Sequence, residues 1–295
     1  MRPSDGGGQT DFEPPRQIDS QDIALPAGYR IEAIAHGLTF PSAVVVDESN
    51  RVYVVEAGYS YGPEFATPRL LRVETDGSLT EIARGRSGPW TGASYHQGKF
   101  YVSSSGEEGR ILEIDRSGNI QVLLDGLPGR ADHHPNRPVV GPDGWLYFGQ
   151  GTKTNSGVVG RDNYQFGWLL EHPDWHDIPC RSVTLTGRNF VTENVLDPGT
   201  GEKVKTGAFV PYGTRTQTGQ VIEGSVPCNG AIMRMPLEGG QPEVVAWGLR
   251  NPFGLAFSPQ GRLYATENGY DVRGSRPIFG GADYLWEIHA GTWYG

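Results

Sequence analysis

The sequence predicts an all-β protein built as a β-propeller. Three observations point there. First, 43 of the 295 residues are glycine and 22 are proline. Glycine is at about twice its usual share of roughly 7%, and these turn formers separate short apolar runs. Second, one pattern recurs: an apolar strand, a tight polar turn, then a strand that carries a tyrosine and ends near glycine. It reads "PSAVVVDESNRVYVVEAG" from Pro41, "WTGASYHQGKFYVSSSG" from Trp90, "NRPVVGPDGWLYFGQG" from Asn136 and "NPFGLAFSPQGRLYATENG" from Asn251. Third, hairpins lie between these units: "RLLRVETDGSLTEIARG" from Arg69, "GRILEIDRSGNIQVLLDG" from Gly109 and "GAIMRMPLEGGQPEVVAWG" from Gly230. Their Asp-Gly, Ser-Gly and Gly-Gly pairs suit tight turns. The matching tyrosines Tyr53, Tyr101 and Tyr147 are 48 and 46 residues apart, and Tyr264 follows 117 residues later. Two hairpins per period make one four-stranded sheet, and a period of about 40–50 residues is that of a propeller blade.

In chain order, residues 1–27 read as a flexible leader, polar and rich in Gly and Pro. The partial propeller then covers 28–295. Blade one is expected at about 38–85, blade two at 86–126 and blade three at 127–248, with an insertion at about 152–229. Blade four begins near 249. That makes about three and a half blades. A propeller protects its sheet edges by closing into a ring, so the chain is expected to be the N-terminal part of a longer propeller. A small propeller with irregular last strands is the plainer alternative.

The insertion holds both cysteines, Cys180 and Cys228. A lone pair fits neither a four-thiolate zinc site nor a CxxC redox motif. A disulfide is the specific reading and two buried thiols the plain one. A bridge would imply an oxidising compartment. "EHPDWHD" places His172 and His176 four apart, as on a metal-binding helix. Pro173 and Pro179 disfavour a regular helix, which leaves a polar surface loop.

The formal net charge of −9 argues against a nucleic-acid partner, which needs a basic surface. No apolar run approaches the roughly 18 residues of a membrane span, and the opening "MRPSDGGGQTDFEPPRQIDSQD" has no apolar core of a secretory signal. HExxH, a Walker loop and a GxGxxG after a strand are all missing. One feature stands out: "DHHPNRP" places two of only seven histidines, His133 and His134, side by side just before a strand. Read from the residues alone, they are polar loop residues making local hydrogen bonds.

"DHHPNRPVVGPDGWLYFGQG", "AWGLRNPFGLAFSPQGRLYATENG" and "DYLWEIHAGTWYG" resemble the glucose/sorbosone dehydrogenase family, and the resemblance runs from about Leu38 to the end. "GLRNPFGLAF" is its most specific stretch. The family consists of quinoproteins, six-bladed propellers that use pyrroloquinoline quinone (PQQ) and calcium. The resemblance implies oxidation of a sugar or sugar-like alcohol by hydride transfer to the quinone. It also implies an electron acceptor such as a cytochrome or quinone, and a periplasmic or extracellular location. Aligned on Arg137, the family's general base falls on His133, with Asp132 beside it to hold the ring's tautomer and stabilise the imidazolium. Imidazole suits the task because its ordinary pKa of about 6.5 lies near working pH. Arg250 and Asn251 match the pair that lines the quinone pocket. A guanidinium there can stabilise charge developing on a quinone oxygen. The backbone carbonyls of Gly269 and Tyr270 match the calcium ligands, and carbonyls are suitable hard donors.

Two departures qualify the match. Tyr270 stands where the family commonly has Pro, and Trp90 with Thr91 stands where the soluble glucose enzymes carry a pocket amide. Base and guanidinium are expected to face one another across a solvent-open gap that admits a sugar and a quinone. A non-catalytic extracellular propeller that binds a ligand or partner, and a calcium-dependent lactonase-type propeller, are the alternative functions. The latter would need a carboxylate metal cluster at the channel.

Overall fold

In the computed structural model of the chain, which describes residues 19–58, 66–165 and 167–295, antiparallel sheets follow one another as the repeats predict. Blade one is β1 (Pro41–Val46), β2 (Val52–Glu56), β3 (Arg69–Val73) and β4 (Leu79–Arg84), paired in that order. Blade two is β5 (Trp90–His96), β6 (Lys99–Ser104), β7 (Glu108–Asp115) and β8 (Ile120–Pro128), again in order. Blade three opens with β9 (Val139–Val140) and β10 (Trp145–Gln150). The chain then leaves it for the insertion, which carries α1 (Arg161–Gln165), α2 (Trp168–Glu171), and strands β11 (Val183–Thr186), β12 (Phe190–Glu193), β13 (Lys203–Thr206) and β14 (Thr218–Ile222). Strand β11 pairs with β14, and β12 with β13. Blade three resumes with β15 (Ala231–Pro236) and β16 (Glu243–Trp247). The expected half-blade is the three-stranded sheet of β17 (Pro252–Phe257), β18 (Leu263–Glu267) and β19 (Tyr284–Ile288). A final strand, β20 (Thr292–Trp293), turns back and pairs in parallel with β16 as a fifth strand of blade three. Most of the expected leader, residues 1–18, lies outside the described residues.

The turns form for a local reason. Asp47 Oδ1 accepts the N–H groups of Ser49 (2.9 Å) and Arg51 (3.0 Å), and Asp115 Oδ1 accepts those of Ser117 (2.8 Å) and Asn119 (3.0 Å). These Asx turns satisfy the backbone where the chain reverses. The tyrosines do occupy equivalent places: each sits on the second strand of its blade, opposite a charged residue of the third, namely Arg72, Glu113, Arg234 and Glu287. Alternate side chains on both faces are apolar, so the core lies between blades. Val55, Leu70, Trp90 and Phe100 fill the space between blades one and two. Ile111, Leu146, Phe148 and Met233 fill that between two and three, and Ile232, Leu255 and Ala265 that between three and four.

Cys180 and Cys228 are joined, with Cα atoms 5.0 Å apart. Both lie in the core between blades two and three, so the bridge ties the insertion to the propeller body. Closing a loop of this length stabilises by up to about 4 kcal/mol on the chain-entropy account. No described helix is long and apolar enough to cross a membrane.

Candidate active site

In an antiparallel hairpin, the start of the first strand and the end of the second lie at the same end of the sheet. Pro135 bridges Gln150 where β9 begins and β10 ends, and Pro252 pairs with Glu267 where β17 begins and β18 ends. The loops before β9 and after β10 therefore adjoin, as do those before β17 and after β18. The two hairpins are joined where Thr152 N–H donates to the Arg250 carbonyl at 2.8 Å. Gly151 permits this approach, because a Cβ there would sit 2.2 Å from the His133 Cβ and 2.9 Å from Asn251 Oδ1.

His133 is buried, with 7% of its surface exposed. Its Nδ1 faces two oxygens of Thr152, the carbonyl at 2.9 Å and Oγ1 at 3.2 Å. The Thr152 hydroxyl gives its own proton to the Thr154 carbonyl at 2.6 Å, so toward the ring it can only accept. Both partners of Nδ1 are then acceptors, which places the ring's proton on Nδ1 and leaves the lone pair on Nε2. Nε2 lies 3.6 Å from Asp132 Oδ2. Burial pulls the imidazole down to about 4, helped by Arg250 and Arg273 and opposed by Asp132. The ring is neutral at pH 7 and its basic nitrogen faces a carboxylate that would stabilise the protonated form. The tautomer is thus held by Thr152, where the family resemblance assigned that role to Asp132. His134 is equally buried but turns to blade two, with Nδ1 3.0 Å from Ser105 Oγ. Burial also brings it down to about 4.

Arg250 is buried too, at 3%. Its Nε donates to the Asn155 carbonyl (3.0 Å), Nη2 to Asn155 Oδ1 (2.9 Å) and Asp271 Oδ2 (2.8 Å), and Nη1 to the Asn268 carbonyl (3.4 Å). One of its five N–H groups is left for another partner. Asn251 accepts a bond from Asn136 Nδ2 at 2.7 Å; this fixes its amide, whose Nδ2 donates to no described residue. Asn268 N–H donates to the Asn251 carbonyl at 3.1 Å, which brings Gly269 and Tyr270 alongside. Gly269 is packed against the 282 backbone, where a Cβ would meet the Ala282 carbonyl at 2.0 Å. The carbonyls of Gly269 and Tyr270 accept no hydrogen bond from any described residue.

The structure thus brings His133, Asp132, Arg250, Asn251, Gly269 and Tyr270 to one face. Base and guanidinium, expected to face a solvent-open gap, are instead both buried, at 7% and 3%, among side chains unnoticed in the sequence. Asn155 and Asp271 engage Arg250, while Arg273 reaches Asp132, Asp271 Oδ2 (2.9 Å) and, from the insertion helix α1, Asp162 Oδ2 (2.8 Å). Against the upward push of burial, His133 and Arg273 hold Asp132 below the usual carboxylate range. Asp162 is pushed up by burial. Two signals could have found these residues: "GTKTN" follows a strand end at the candidate face, and Arg273 lies three residues beyond the expected calcium ligands. His172 does not meet His176. It lies 3.4 Å from Glu107 and, with Glu107 and Glu171, forms an exposed group that Arg130 bridges.

No protein-family profile matches the chain. Quinoprotein glucose dehydrogenase B of Acinetobacter calcoaceticus is 26% identical over 174 residues, which cover 57% of this chain and 29% of that enzyme. In fold, the chain is similar to the PQQ-bound aldose sugar dehydrogenase of Streptomyces coelicolor, with a TM-score of 0.53 at 19% identity over 90% of this chain and 64% of that one. A proposed glucose dehydrogenase of Thermus thermophilus gives a TM-score of 0.53 at 20% identity, over 91% of this chain and 67% of that one. The PQQ domain of pyranose dehydrogenase from Coprinopsis cinerea gives 0.50 at 14%, over 90% and 55%. The fold is therefore the β-propeller of the quinoprotein sugar dehydrogenases, and the resemblance to the glucose/sorbosone dehydrogenases holds in sequence as well as in architecture. The chain spans less than a third of the curated relative it matches.

Proposed function

We propose that this chain carries the base-bearing face of a PQQ-dependent dehydrogenase that oxidises a sugar or sugar-like alcohol. The observation that carries the reading is the setting of the His133 ring, whose Nδ1 faces two Thr152 oxygens. Its proton sits on Nδ1 against two acceptors, so Nε2 is a base at neutral pH. The donor set beside it suits an anionic quinone: one free N–H on Arg250 and the unpaired Nδ2 of Asn251. The carbonyls of Gly269 and Tyr270 supply two hard oxygens for calcium. PQQ, when bound, supplies the hydride acceptor, and the protein's part is orientation and electrostatics.

In this reading His133 Nε2 takes the proton from the substrate hydroxyl, and Asp132 stabilises the imidazolium that results. Thr152 keeps the ring from turning. Arg250 and Asn251 would hold the quinone, and their N–H donors would favour negative charge on its oxygen. Admission of both partners needs the Asn155–Asp271–Arg273 side chains to yield part of their contacts. The disulfide and the likeness to sugar dehydrogenases favour a periplasmic or extracellular setting, with a cytochrome or quinone as electron acceptor.

The test is cofactor reconstitution of the full-length protein with sugars as substrates. Replacing His133 by Ala should cut the turnover of cofactor-loaded protein by about 10² to 10⁴. Unchanged turnover with cofactor bound would remove His133 from the mechanism. A non-catalytic, ligand-binding propeller is favoured by one observation, the burial of both His133 and Arg250 among internal partners; it predicts no quinone-dependent oxidation at all.

A further inference from the structure

One guanidinium gathers three carboxylates from three separate parts of the chain. Arg273 pairs with Asp132 of the loop before β9, with Asp162 of α1 in the insertion, and with Asp271 of its own loop. Asp132 and Asp162 are both buried, at 5% and 7%. Asn155 fastens the same loop from the other side. Its Nδ2 donates to the carbonyls of Asp271 (2.8 Å) and Arg273 (3.2 Å), and its Oδ1 accepts the Asp271 N–H (2.9 Å). Gly274 follows with φ +75°, and a Cβ there would lie 2.9 Å from both Asp162 oxygens. The backbone after Arg273 thus lies directly against the Asp162 carboxylate.

We propose that Arg273 is a positioning residue for His133: it fixes the Asp132 carboxylate beside Nε2 and, through Asp162, fastens the insertion to the loop that bears the base. A carboxylate buried next to a basic nitrogen is not held there by the nitrogen's lone pair. It stays because an opposite charge, the Arg273 guanidinium, grips the same Oδ2 that faces Nε2. Of the charged groups that face His133, Asp132 comes from its own loop, Arg250 from the loop before β17 and Arg273 from the loop after β18. Asp162 and Asp271 act on it through the two guanidinium groups. Arg273 therefore sets both where the anion sits and how much of its charge the ring feels.

The inference rests on reading His133 as the base, but its readout is the ring's own titration, which does not depend on turnover. Histidine NMR of the 295-residue chain, with the His133 signal assigned by His133→Gln, follows protonation directly. Asp132→Asn removes the anion and leaves Arg273 its other two partners, so the His133 midpoint should fall. Arg273→Lys cannot span three carboxylates and leaves Asp132 less neutralised, so the midpoint should rise, by about one pH unit. Opposite directions are the signature of a positioned pair. If both substitutions only loosened and hydrated the site, both midpoints would move upward toward the ordinary value, and the proposal would be overturned. It would equally be overturned if neither moved. Should Arg273→Lys fail to fold, Asp132→Asn alone decides, since a rise or no change contradicts the proposed arrangement.

Discussion

Arg273 and Arg130 make an instructive pair. Each is a partly exposed arginine, 28% and 33% at the side chain, and each bridges acidic residues beside a histidine. Arg273 holds Asp132 and Asp162, which are 5% and 8% exposed at the side chain. Arg130 holds Glu107 and Glu171, which are 61% and 57% exposed. The histidine–carboxylate distances barely differ, 3.6 Å for His133 and 3.4 Å for His172. Distance and residue type alone would rank the two clusters as equals. What separates them is the solvent around the anions. Water screens the Glu107 cluster and can replace any partner it loses. The Asp132 cluster has no such substitute, so its geometry is fixed and its charges shift the ring beside them.

The largest effect that tests this contrast is the loss of the central cation. Arg273→Gln should cost roughly 3–5 kcal/mol of stability, because it strands buried carboxylates without a counter-charge. Denaturant unfolding of the chain measures it directly. A cost below about 1 kcal/mol would mean that water reaches Asp132 and Asp162, and the two clusters would then be alike.

The second effect is acid lability. His133 and His134 are both held at about 4 by burial, against an ordinary 6.5. A folded-state value below the unfolded one means that the unfolded chain takes up protons first as the pH falls. Stability is then fully present above pH 6.5, declines between about 6.5 and 4, and levels below that. Each ring accounts for roughly 3 kcal/mol across the window. Thermal unfolding at closely spaced pH values should show the decline. His134→Gln should flatten it by about half, and a slope unchanged in that variant would place the proton uptake elsewhere.

Much of this was legible in the sequence. Repeats and turn residues prescribe the blades because each hairpin is a local unit, with its own apolar alternation and its own Asx turn. The convergence of His133 with Arg250 and Asn251 follows from blade order, since both lie just before the first strand of adjacent blades. The charge network did not show itself. Asp162 is about 30 residues along the chain from Asp132, and Arg273 more than a hundred further on. Only the insertion's return across the propeller face brings them together, and no local pattern encodes that path. Thr152 was hidden for another reason: its role depends on which way one hydroxyl proton points, which is set by the Thr154 carbonyl two residues on.

The smallest effect is the most direct check on the reading of Arg130. Glu107 lines a cleft of about 370 Å³ together with Lys153, His172, Asp174 and Trp175. Its carboxylate meets Arg130 and His172, an arrangement that looks like a binding site on distance alone. Exposed pairs contribute about 0–1 kcal/mol, so Glu107→Ala should change stability by less than about 1 kcal/mol. Whatever effect it has should shrink as salt is raised, because exposed charges are screened within about 8–10 Å at ordinary ionic strength. The Arg273→Gln cost should persist under the same salt, because two of its anions, Asp132 and Asp162, are buried. A Glu107→Ala cost of several kcal/mol that salt left untouched would show that this cluster is also walled off from water. Burial of the anions would then no longer distinguish the loop that bears His133 from the one that bears His172.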